Sequence, residues 1–77
     1  MPTPLIPLLA DVLNVPPDSI TDQLAMKDVD GWDSLRHMEV IAAIEHGFGV
    51  QLTFEEIVLM REIGAIRRIL RAKGIDA

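Results

Sequence analysis

Ser34 and His37 are the two residues whose types and spacing could form a catalytic pair. They stand three positions apart, so on a helix they would share one face, and an imidazole beside a hydroxyl can activate it as a nucleophile. The sequence around them argues against a hydrolase, because Asp33-Ser34-Leu35 is not the Gly-x-Ser-x-Gly turn that exposes such a serine. No oxyanion hole is evident, and 77 residues leave little room for a substrate cleft. The sequence therefore predicts no catalytic residue and no enzyme.

The histidines and the clustered aspartates do not have the spacing of a metal site. His37 and His46 stand nine residues apart, which matches no zinc pattern, and we interpret both as histidines on the polar face of a helix. The acidic segment 28–33 is similar to a calcium loop. Placing Gly31 at the sixth position of that loop, however, puts Met26 at the first position and His37 at the twelfth, where oxygen ligands are required. No metal is expected.

A second chemical role for Ser34 follows from its position in the first turn of a predicted helix. The free amides and the positive end of the helix dipole favour a phosphate group at that place. This environment suits a serine that carries a phosphodiester. The alternative is that Ser34 is an ordinary residue at a helix start, where serine is common.

Helix one and the segment after it are predicted from apolar spacing and prolines. Apolar residues recur at helical intervals over about 5–14, and Val15-Pro16-Pro17 ends that helix. Its start is ambiguous, since Thr3 and Pro4 resemble an N-cap followed by the first helical residue, whereas Pro7 fits more easily if it is itself close to the first helical residue. Residues 15–33 have no sustained period, so they predict a long loop that packs on scattered apolar residues, with a short helical turn near 18–24.

Three further helices are predicted from their cap residues. Asp33 is a suitable N-cap for helix two, and Thr53 with Glu56 has the capping-box spacing that opens a short helix three, Phe54 to about Met60. Helix four follows and closes at Gly74. The sequence gives no convincing strand pattern.

The predicted fold is all-α: a small four-helix bundle of three main helices and a short third helix, with a long loop between helices one and two. We expect one domain over residues 1–77. Most of the core is predicted to come from eleven apolar residues, which are Leu5, Leu9, Val12, Leu24, Leu35, Ile41, Ile44, Phe48, Ile63, Ile66 and Ile69.

Composition excludes several classes of protein. The chain has no cysteine, so zinc ribbons, redox dithiols, disulfide scaffolds and enzymes that use their own cysteine thioester are excluded. Residues 1–59 carry ten acids against two bases, a net −8, and residues 60–77 carry a net +3. The acidic part repels phosphate backbones, and the basic part lacks aromatics, so no nucleic acid partner is expected. No apolar run predicts a membrane span, and a cytoplasmic monomer is the expectation.

The segment Gly31-Trp32-Asp33-Ser34-Leu35 resembles the modification motif of the acyl carrier protein family. The resemblance continues through 36–45 and Phe48-Gly49-Val50 and covers about residues 5–73, including the long loop and the short third helix. A tripeptide such as Asp-Ser-Leu recurs by chance. Within a predicted four-helix fold of this length and acidic charge, however, the Asp-Ser-Leu triplet specifically indicates this resemblance.

The resemblance implies a covalent cofactor on Ser34. A separate phosphopantetheinyl transferase would move 4′-phosphopantetheine from coenzyme A to the serine oxygen, and the thiol of this arm would carry an acyl or aminoacyl group as a thioester. Asp33 would orient the helix start, and Leu35 would be an exposed contact for partner enzymes. The implied partners are a loading ligase or transferase and downstream synthase enzymes of a fatty-acid, polyketide or other specialised pathway. The alternative is an unmodified helical protein-interaction module.

The sequence departs from the family where partners bind. Members often place carboxylates just after the serine, but Arg36 and His37 stand there, and Trp32 precedes the motif. These differences favour a dedicated carrier of a specialised pathway over a housekeeping fatty-acid carrier. Residues 57–60 are apolar all round a short helix, so either one or two of them stay outside the core or they pack under the long loop. The predicted partner surface consists of Leu35, Arg36, Met38, Glu39, Ala42, Glu55, Val58 and Leu59.

Overall fold

Four α-helices and two short 3₁₀ turns form the fold in a computed structural model that describes residues 4–77. The helices are α1 (Leu5–Leu13), α2 (Ser34–Phe48), α3 (Phe54–Leu59) and α4 (Ile63–Ala72), and the 3₁₀ turns cover Pro17–Ser19 and Met26–Asp28. The described residues contain no strand, only an isolated bridge between Ala25 and Glu62. The predicted all-α bundle with a long first connection and a short third helix is confirmed.

The ends of α1 follow from local backbone chemistry. The helix begins at Leu5, so Pro7 is its third residue, where the missing amide has no helical acceptor in any case. Asn14 ends the helix in the left-handed conformation with φ of +58°. Pro4 is the N-cap residue and not the first helical residue, and Thr3, which the sequence predicted as the N-cap, lies outside the described residues.

Reciprocal side-chain hydrogen bonds fix the start of α3. The amide of Glu56 donates to Thr53 Oγ1 at 3.1 Å, and the amide of Thr53 donates to Glu56 Oε1 at 2.9 Å, which confirms the capping box. Two groups lower the pKa of Glu56. The hydrogen bond from the Thr53 amide has the largest effect, and the Lys73 ammonium, whose Nζ lies 3.0 Å from Glu56 Oε1, has the next largest. Because the ionised carboxylate makes these bonds, their contribution is present at neutral pH and is lost only as acid protonates Glu56.

The core lies between the three longer helices and reaches into the loop. Among the largest side chains with almost no exposure are Leu9 of α1, Ile41 and Ile44 of α2, and Ile63 and Ile66 of α4. Four of the predicted core residues, Val12, Leu24, Phe48 and Ile69, are only partly buried and pack against this cluster. Sequence reasoning missed other buried side chains, including Trp32, Val40 and Met60.

The prediction that Leu35 belongs to the core is wrong. Its side chain is 74% exposed, because it stands on the side of the first turn of α2 that faces solvent. The apolar period of α2 continues through Val40, Ile41 and Ile44, which are buried. Leu35 therefore interrupts the periodic pattern that suggested burial.

Three backbone hydrogen bonds hold the long loop to the segment that leads into α4. Met26 donates to Arg61 at 2.7 Å, Ile63 donates to the carbonyl of Leu24 at 2.9 Å, and Gly64 donates to that of Asp22 at 3.0 Å. A Cβ at Gly64 would lie 3.1 Å from the Asp22 carbonyl oxygen, so the loop approaches α4 more closely than a side chain allows without adjustment. The loop is therefore part of the packed structure.

No helix formed by residues 4–77 combines the length and the apolar character that crossing a bilayer requires.

Candidate functional site

Ser34 is the first residue of α2, and its side chain is exposed. The preceding residue, Asp33, is extended and accepts a hydrogen bond at Oδ1 from the amide of Arg36 at 2.9 Å. Its carbonyl accepts from the amide of His37 at 2.8 Å. The predicted N-cap role of Asp33 is thus confirmed, and it places an accessible hydroxyl at the positive end of a fifteen-residue helix.

A buried hydrogen-bond chain runs beside Ser34 and connects three elements. The indole N–H of Trp32, which is 3% exposed, donates to Nδ1 of His37 at 3.1 Å. Nε2 of His37 lies 2.9 Å from the carbonyl oxygen of Ile57 in α3. Because an indole N–H only donates and a carbonyl only accepts, His37 is the neutral tautomer with its proton on Nε2. The chain ties the loop, α2 and α3 together around the serine.

The interpretation of His37 as a polar-face histidine is wrong. His37 is 8% exposed, whereas His46, near the end of the same helix, is exposed as predicted. The imidazole can be buried because both ring nitrogens have partners, Trp32 on one side and Ile57 on the other. His37 therefore has no free nitrogen with which to activate Ser34.

An open depression of about 210 Å³ adjoins Ser34. It brings together Ser34, Met38 of α2 and Val58 of α3, three of the residues singled out from the sequence. The remaining lining is His37, which the sequence paired with Ser34 but assigned to a polar face, and Met26, Ile57 and Arg61, which sequence reasoning missed. These residues come from four separate segments, and no local pattern links them.

The other residues of the predicted partner surface are mostly exposed. Ala42, Glu39 and Glu55 are exposed, and so is Leu59, at 66%. Of the apolar run 57–60, Val58 and Leu59 are exposed, which confirms that two of its side chains stay outside the core, whereas Met60 is fully buried and Ile57 half-buried. Phe54, at 79%, is an additional exposed apolar side chain on α3 that the sequence did not single out.

Arg36 is less available to a partner than its position suggested. Its Nη1 donates to the carbonyl oxygen of Val12 at 3.1 Å and lies 3.7 Å from Glu39 Oε2. The guanidinium therefore links the first turn of α2 to the end of α1.

A family model described as a phosphopantetheine attachment site matches residues 4–71. No curated protein matches the sequence. The matched range covers the long loop and all four helices except the last residue of α4.

Proposed function

The chain belongs to the acyl carrier protein family, whose members carry a covalent 4′-phosphopantetheine group, and on that premise we propose that Ser34 is the attachment residue. The observation that carries the proposal is the exposed hydroxyl at the start of α2, with Asp33 as the helix cap. The residues around it fit the group, because a helix N-terminus favours a phosphate and the adjoining depression is open.

Attachment is a phosphoryl transfer for which a phosphopantetheinyl transferase supplies the catalysis. The Ser34 oxygen bonds to the phosphorus of the phosphopantetheine moiety of coenzyme A, the pyrophosphate P–O bond breaks, and adenosine 3′,5′-bisphosphate leaves. The serine proton is released to a base on the transferase. Since His37 has both ring nitrogens engaged, it does not serve as that base.

The proposed role of the loaded chain is to carry cargo between enzymes. The arm supplies a terminal thiol, which holds an acyl or aminoacyl group as a thioester, and this agrees with a chain that has no cysteine. Domains of this family are generally not catalytic. We propose that residues 1–77 form one carrier domain that serves as cosubstrate for a loading ligase or transferase and for synthase enzymes of a fatty-acid, polyketide or other specialised pathway.

Intact-mass measurement after incubation with coenzyme A and a promiscuous phosphopantetheinyl transferase tests the proposal. The expected result is a gain equal to one phosphopantetheine group. An unchanged mass under conditions that load a control carrier would contradict it. A tight partner bound equally by wild type and Ser34→Ala would instead support an unmodified interaction module.

The proposed surface for partner enzymes is formed by Leu35 and Met38 on α2 with Val58 and Leu59 on α3. These four apolar side chains are 44–74% exposed in the described structure. Carrier contacts must be modest so that the carrier is released, and acids such as Glu39 and Glu55 beside the apolar group provide charge complementarity.

Leu35→Ala is expected to weaken loading by the cognate ligase or transferase by about tenfold, since a partner loses roughly 1–2 kcal/mol of apolar burial. Thermal stability should remain unchanged, because the side chain is exposed.

Arg36 stands where an acid is usual in the family, so the cognate enzyme is expected to offer a carboxylate or a neutral surface opposite it. Arg36→Glu should therefore lower the association rate at low salt by roughly fivefold. Arg36→Gln, measured in parallel, separates the charge reversal from loss of the bond to Val12. Unchanged loading in Leu35→Ala and in Arg36→Glu at every ionic strength would assign partner binding to another face.

A further inference from the structure

Two cationic side chains of this acidic protein have no partner within the described residues 4–77. Lys27 and Arg61 make no salt bridge and no side-chain hydrogen bond there. The other five cations all have partners: Arg36 with Val12 and Glu39, Arg67 with Asp22, Arg68 with Glu62, Arg71 with Ala77, and Lys73 with Glu56. Carboxylates outnumber cationic side chains twelve to seven in the chain, so carboxylate partners are in excess and a cation without a partner is unusual.

Arg61 lies beside the proposed attachment residue, and Lys27 lines the neighbouring depression. Arg61 lines the depression that contains Ser34. It also lines a second open depression, of about 450 Å³, together with Lys27 and Trp32. The two depressions are neighbours, because Met26 and Arg61 line both of them.

The backbone that carries Arg61 is held in place by hydrogen bonds, whereas its side chain has no polar partner within the described residues. The Arg61 carbonyl accepts from the amide of Met26 at 2.7 Å, and the Arg61 amide donates to Leu59 at 2.9 Å. The next residue, Glu62, forms the isolated bridge with Ala25. These bonds fix the position of Arg61 relative to the loop that leads to Ser34, and the residue itself is exposed.

We infer, on the basis of the proposed function, that Arg61 together with Lys27 binds the phosphate of the arm on Ser34. A guanidinium presents several N–H donors in a plane that matches phosphate oxygens, and an ammonium adds a point charge. Aspartates 28, 30 and 33 directly precede the serine in sequence and would repel a phosphodiester. The two cations offset that repulsion, and they hold the first part of the arm against the depression lined by Met26 and Trp32.

Phosphorus and nitrogen NMR of the loaded protein test this inference without an enzyme assay. Wild type, Arg61→Gln, Lys27→Gln and the control Arg68→Gln are loaded with excess transferase, and each intact mass is measured first. Arg68→Gln removes the same charge from an exposed side chain of α4 that lines neither depression. We expect loading of the wild type to shift the Arg61 Nε–H signal, and added salt to reverse that shift.

The ³¹P signal of the phosphodiester distinguishes the outcomes. It is expected to move in Arg61→Gln, to move less in Lys27→Gln, and to stay at the wild-type position in Arg68→Gln. Identical ³¹P signals in all four loaded proteins, or an Arg61 Nε–H signal that loading leaves in place, would overturn the inference while the mass gain upholds the proposed function. Absence of any mass gain in the wild type would contradict both.

Discussion

Alanine in place of Ser34 is expected to abolish phosphopantetheine attachment completely. The proposed covalent bond is made to the serine oxygen, so its removal leaves no acceptor, and no neighbouring hydroxyl occupies the start of α2. The fold should be retained, since the side chain is exposed and the cap of the helix is Asp33. The measurement is intact mass after incubation with coenzyme A and transferase.

Ser19→Ala is the matched control for this variant. Ser19 is the other serine of the chain, is exposed, and donates its hydroxyl proton to the carbonyl of Pro16 at 2.7 Å. It should be loaded like the wild type. A mass gain that persists in Ser34→Ala would place the attachment elsewhere and contradict the proposal.

Trp32→Ala is expected to cause the largest loss of stability, about 3–5 kcal/mol. The ring is 3% exposed, and its N–H satisfies a nitrogen of the buried His37. A chain of this size is stable by only about 4–12 kcal/mol, so the variant should be partly or wholly unfolded in ordinary buffer. Urea denaturation followed by far-ultraviolet circular dichroism measures the effect without relying on tryptophan fluorescence.

Two further variants divide this effect into its causes. Trp32→Phe keeps most of the ring volume but leaves Nδ1 of His37 unpaired, at an expected cost of about 1–3 kcal/mol. Phe54→Ala removes an aromatic ring that is 79% exposed and should change stability by less than about 0.5 kcal/mol. Equal losses in Trp32→Ala and Phe54→Ala would show that the indole does not belong to the core.

The helix boundaries were predictable because cap interactions are local. Asp33 bonds to an amide three residues ahead, and Thr53 and Glu56 bond to each other over the same interval. Such spacing is visible in a single sequence. The motif around Ser34 was recognisable for a related reason, since all of it lies within five consecutive residues.

The buried environment of the site was not predictable, because it depends on contacts between distant segments. His37 is polar, and its burial follows from Ile57, twenty residues later in the chain. Arg61 reaches the site because the loop pairs with its backbone, thirty-five residues after Met26. Leu35 shows the opposite error: apolar type suggested burial, whereas its place on α2 leaves it exposed.

The central claim, that Ser34 carries the phosphopantetheine arm, is tested most directly by locating the group in the loaded wild-type chain. Tryptic cleavage after Lys27 and Arg36 places Ser34 in peptide 28–36 and Ser19 in a separate peptide ending at residue 27. Fragmentation mass spectrometry of these peptides is expected to find the added mass on peptide 28–36, at the serine. Finding it on the peptide that contains Ser19, or finding peptide 28–36 unmodified in a chain whose intact mass has increased, would contradict the claim.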